Sequence, residues 1–63
     1  MNTILESWED DINYVQKVSK EDSLNITEEL EEEFCQQVWE LWQIGVSKEL
    51  ARILSYNRIK RMI

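Results

Sequence analysis

The sequence predicts an all-α domain of three short helices, the second and third folded into a helical hairpin around Gly45 that is expected to dimerise. Three observations predict it. Apolar residues recur at helical spacing in three stretches. A residue able to cap a helix stands before each stretch. The only glycine falls between the second and third stretches, and no proline interrupts any of them.

The first helix is expected over about residues 3–18. Ile4, Leu5, Trp8, Ile12, Val15 and Val18 lie on one face, with Glu6, Glu9, Asp10 and Asn13 largely on the other. Thr3 with Glu6 three residues on reads as a capping box. Acids early and Lys17 late agree with the helix dipole. Residues 19–26 are polar and lack a sustained period, so they read as a connection from which Leu24 and Ile26 reach the core.

The second helix is expected from Glu28 to Ile44, capped by Thr27 or Asn25. Glu28, Glu29, Glu31, Glu32 and Glu33 fill its first turns, a solvated start that the dipole favours. Leu30, Phe34, Val38, Leu41 and Trp42 form an apolar stripe; Cys35, Trp39 and Ile44 widen it. At 100° per residue the apolar arc covers roughly 220°, where a surface helix needs little more than about 100°. The excess points to contact on two sides, one of them a partner's.

Gly45 suits the left-handed position that ends a helix, and Ser47 is placed to cap the next. The third helix is expected from Lys48 to about Met62. Leu50, Ala51, Ile53, Leu54 and Ile59 give it one apolar face. Ser55-Tyr56-Asn57 is its weakest point, and Arg58, Lys60 and Arg61 close it with cations that suit a helix end.

Sixty-three residues make one domain, residues 1–63, with the hairpin over about 28–62. A chain this short buries only about 60% of its unfolded surface and is marginal alone. One cysteine forms no internal disulfide, and without histidine or a cysteine pair there is no zinc site. Association with a partner is the support that remains. The single cysteine also fits a reducing compartment, so the expected location is the cytoplasm. No secretion signal or membrane span is visible, and no cofactor is expected.

The net charge of −6 is unevenly spread: residues 1–45 carry 12 acids and 2 bases, residues 46–63 carry 1 acid and 5 bases. The acidic part opposes phosphate contact, which makes direct nucleic-acid binding the weakest reading. Enzymatic activity is not expected either. No histidine serves acid–base chemistry near neutral pH. Cys35 has acidic neighbours that raise its pKa, and it reads as a buried apolar residue. Trp8, Trp39 and Trp42 fit a core, yet tryptophan also dominates interface hot spots.

The central stretch resembles the helical-hairpin motif shared by the Sin antirepressor and the C-terminal multimerisation region of the Sin repressor. Glu33-Phe34 stands for its opening pair, Gly45 falls twelve positions later, and Val46-Ser47-Lys48 fits the turn. Ala51-Arg52-Ile53-Leu54 fits its second helix with one residue deleted, and residues 56–61 resemble the repressor's basic end. The match covers residues 30–61. It departs in having Phe34 where the motif has Trp, and in the N-terminal 26 residues, which have no counterpart. The resemblance implies a hairpin that pairs with its like in a repressor and disrupts the repressor's oligomer. A second likeness stops short: Ser47-Lys48-Glu49-Leu50-Ala51 lacks the aspartate that closes the Ser-Gln-Glu-Leu-Asp signature of small aspartyl-phosphate phosphatases.

The expected function is thus non-enzymatic regulation through protein binding, with a transcriptional repressor or a second copy as partner. The residues expected to meet it are Phe34, Val38, Leu41 and Trp42 of the second helix, Val46 of the turn, and Leu50, Ile53 and Leu54 of the third. Gly45 and Ser47 are the structural turn. Two alternatives stand beside this one: an acidic, phage-type inhibitor that mimics DNA, using Glu29, Glu32 and Glu33, and a small helix-turn-helix DNA binder.

Overall fold

The chain folds into α1 (Thr3–Glu21), α2 (Glu28–Gln43) and α3 (Lys48–Lys60). The computed structural model describes the backbone from Thr3 and the side chains from Trp8 to Ile63, and no strand occurs among these residues. The side-chain roles expected of Thr3, Ile4, Leu5 and Glu6 lie outside the described residues.

α1 runs three residues further than its apolar pattern suggested. The reason lies in Asp11, Val15 and Ser19, spaced four apart on one face and all buried. Ser19 continues the inward face without an apolar side chain, and its hydroxyl donates to the Gln16 carbonyl at 3.1 Å. The helix then closes with a left-handed residue, Ser23, at φ 57°. The amide of Leu24 donates to the Ser19 carbonyl at 2.8 Å and that of Ser23 to Lys20 at 3.1 Å. This is a Schellman motif, which satisfies carbonyls that the helix end would otherwise leave unpaired.

α2 ends in the same way. Gly45 sits at φ 98°. Its amide donates to the Trp42 carbonyl at 3.1 Å, and the amide of Val46 to Leu41 at 3.0 Å. Leu41 and Val46, the apolar pair that accompanies this motif, both pack against the core. Thr27 rather than Asn25 caps α2, its hydroxyl accepting from the Leu30 amide at 3.2 Å. Ser47 caps α3, accepting from the Leu50 amide at 3.3 Å. Four residues thus stop one helix, reverse the chain and start the next. α3 continues unbroken through Ser55-Tyr56-Asn57 because Ser55 and Tyr56 are buried, and packing outweighs their weak helix propensity.

The two left-handed positions give opposite expectations. Ser23→Gly relieves a side chain held at positive φ and should raise stability by about 1 kcal/mol. Gly45→Ala should lower it by about 1 kcal/mol. Since no atom lies within 4 Å of a Cβ built at Gly45, that cost is backbone strain and not a clash. Urea melts of both variants check the pair.

α2 and α3 pack closely as a hairpin, and α1 packs on it, touching α2 more than α3. The core is Val15 of α1, Phe34, Cys35 and Val38 of α2, and Ala51, Tyr56 and Ile59 of α3. Leu24 and Ile26 of the connection pack against it. Tyr14 stacks on Phe34 with ring centroids 5.9 Å apart. The radius of gyration, 11.0 Å, is close to the roughly 10.6 Å of a compact chain this long.

Candidate functional site

α3 carries apolar residues on two opposite sides. At 100° per residue, the buried Ala51, Ser55, Tyr56 and Ile59 fall within an arc of about 140°. Leu50, Ile53 and Leu54 fall within about 100° on the far side. These three are 48%, 49% and 38% exposed. The single apolar face expected for this helix is therefore two faces. The fold covers one, with α1 and α2, and the described residues hold no further helix for the other.

The residues expected to meet a partner divide accordingly. Phe34 and Val38 have no exposed surface, so a partner reaches neither without opening the core; this corrects their assignment to a partner surface. The sequence shows that α2 is apolar over a wide arc, but not which part α1 will cover. Leu41 and Val46 are half-buried against the core. Trp42, Leu50, Ile53 and Leu54 are exposed, as are Trp39 and Ile44. The Lys48 ammonium lies 5.0 Å from the centre of the Trp42 ring, a cation–π contact beside the turn.

Charge on the hairpin is set by α1. Asp11 is fully buried, with the Arg52 Nε 2.7 Å from one carboxylate oxygen and the Lys48 Nζ 3.5 Å from the other. Sequence reasoning missed Asp11 by reading the acids as solvated surface. A signal was present, since Asp11 stands three after Trp8 and four before Val15, on the apolar face. At the far end of α1, Asp22 accepts from the Tyr56 hydroxyl at 2.7 Å and lies 3.9 Å from the Lys60 ammonium. Three of the five bases after Gly45 are thus paired with Asp11 of α1 or with Asp22 just past its end. The side chains of Arg58 and Arg61 make no ion pair among the described residues. They follow Leu54 by four and seven positions, extending the outer face of α3 toward its end.

A second feature is an open cavity of about 280 Å³ between α1 and α2, lined by Trp8, Ile12, Cys35, Glu28, Glu31 and Glu32. Gln16 donates to Glu31 at 2.8 Å beside it and ties the two helices together. The Cys35 thiol is pushed up to about 11, chiefly by burial and then by the charges of Asp11 and Glu31. At neutral pH it is a protonated, unreactive thiol. The Tyr56 phenol is also pushed up, by burial and by Asp22.

Both shifts have one sign for stability. Below about pH 9 both groups are neutral in either state. Above the ordinary 9.0 of a thiol, the unfolded chain ionises while folded Cys35 keeps its proton until about 11. Stability should therefore fall as pH rises from 9 to 11, with Tyr56 adding to the fall above about 10. Urea midpoints at pH 7, 9 and 10.5 measure it.

No group of three or more acidic, cysteine or histidine side chains is arranged to hold a metal among the described residues. No helix among them is long and apolar enough to cross a membrane. Compared with protein-family models, with curated proteins and with solved structures, the chain matches none.

Proposed function

We propose that this protein is a small non-enzymatic regulator that works in the cytoplasm by binding another protein through the α2–α3 hairpin, as an antirepressor binds a transcriptional repressor. The observation that carries the reading is the second apolar face of α3. Leu50, Ile53 and Leu54 stand half-exposed on a helix whose opposite side already supplies the core. Covering them, together with Trp42, recovers the part of their burial free energy that folding leaves unused, roughly 1 kcal/mol each. The resemblance of residues 30–61 to the Sin hairpin motif supports a repressor, or a second copy, as the partner class.

The acidic start of α2 favours a partner with some basic surface and would speed encounter with it. The helix-turn-helix reading loses support, because Lys48 and Arg52 are paired with Asp11 and are not available to phosphate. The DNA-mimic reading makes a different demand: reversing Glu29, Glu32 and Glu33 to lysine would abolish binding, and changing Ile53 would not.

Affinity capture from the native host, with Ile53→Gln as control, tests the proposal. A partner held by the native protein and lost by Ile53→Gln is the expected result. A well-folded monomer that captures nothing, or a partner lost only on charge reversal of α2, would overturn it.

A further inference from the structure

We infer that the outer face of α3 receives an amphipathic helix of a partner protein whose apolar residues meet Leu50, Ile53 and Leu54 and whose carboxylates meet Arg58 and Arg61. This rests on the hairpin-binding reading and adds the partner's chemistry to it. The outer face changes character along its length. Its first half is aliphatic, and its second half presents Asn57, Arg58 and Arg61 at the same helical spacing. From Leu50 to Arg61 is about 16 Å at 1.5 Å per residue, so a partner helix of little more than about three turns spans both halves.

Charge decides the occupant. Asp11 of α1 already holds Lys48 and Arg52, and Asp22 just past its end lies beside Lys60. Arg58 and Arg61 remain, on the outer apolar face of α3. A guanidinium presents a fixed fork of donors that matches a carboxylate, so two of them at the end of an aliphatic stripe select acids at that point of the partner. A second copy answers this pattern poorly. The outer face of α3 is flanked by a single acid, Glu49, against two arginines, so a second copy leaves one guanidinium on each face without a carboxylate.

The test uses three fluorescein-labelled synthetic helices of 18 residues. Each carries one apolar trio at i, i+3 and i+4, and two Glu, two Lys or two Gln placed to fall opposite Arg58 and Arg61 in antiparallel docking. Anisotropy titrations with the full chain at low salt should show the Glu helix binding at least about tenfold tighter than the Lys helix, with the preference shrinking as salt is added. Arg58→Glu/Arg61→Glu should reverse the order, and Ile53→Gln should weaken both. Circular dichroism of each variant confirms that it remains folded.

Equal binding of the Glu and Lys helices, binding of none, or a preference untouched by the double arginine reversal overturns the inference. Sedimentation as a dimer dispersed by Ile53→Gln would assign the face to a second copy instead. Binding confined to phosphatidylserine vesicles would assign it to a membrane surface; either result also overturns the inference. Its failure is separable from that of the wider reading: if Ile53→Gln abolishes capture of a host protein while no charge preference appears, the hairpin still binds and only the acidic-helix partner is wrong.

Discussion

Phe34→Ala is expected to cost about 4 kcal/mol and to leave little folded protein at room temperature. Phe34 is the largest fully buried side chain. It stacks on Tyr14 of α1 from its place in α2, so truncating it opens a cavity where two helices meet. A chain of this length is stabilised by only roughly 3–9 kcal/mol in total. With no disulfide and one small core, neighbouring side chains have little means of closing the gap. Urea unfolding followed by the helical circular-dichroism signal should show the midpoint collapse.

The second large effect is expected at Arg52. Asp11 is buried and its charge is matched chiefly by the Arg52 guanidinium at 2.7 Å; Lys48 stands further off at 3.5 Å. Arg52→Ala leaves a buried carboxylate short of its main partner, at a cost of roughly 3 kcal/mol. Replacing both partners, as Asp11→Leu/Arg52→Met, should recover most of that loss, because the cost comes from the uncompensated charge and not from the missing bond. The loss should be local first. α1 packs on the hairpin less extensively than α2 and α3 pack on each other. Amide exchange in α1 of Arg52→Ala should therefore accelerate more than exchange in α3.

How far the sequence could be read follows from the same residues. The turn was legible because Gly45 and Ser47 act locally, through backbone conformation and a cap. α2 and α3 were legible in extent for similar reasons, with caps at one end and a left-handed stop or a basic tail at the other. The last turn of α1 was not, because Ser19 is polar and reveals its inward position only through its spacing from Val15 and Asp11. Asp11 itself was hidden by its residue type: a carboxylate reads as surface until the cations that match it, 37 and 41 positions away, are brought alongside.

Which of the proposed partner residues stay accessible was half legible. Leu50, Ile53 and Leu54 stand exposed, while Phe34 and Val38 went to the core. Periodicity measures how wide an apolar arc is. Which part of that arc the chain covers depends on where α1 lands, and α1 is placed by the Asp11 ion pairs and the Tyr56 hydrogen bonds.

The division of α3 into a structural side and a proposed partner side is tested most directly by Leu50→Gln/Ile53→Gln. Its urea unfolding in dilute solution is measured beside that of the native chain and of Phe34→Ala, with host-partner capture recorded for the same samples. The expected result is an unfolding free energy within about 1 kcal/mol of native, because glutamine keeps the helix and neither position supplies the core. Capture should be lost. A midpoint that falls as far as that of Phe34→Ala, or capture that survives, would show that the outer face belongs to the fold and not to a partner.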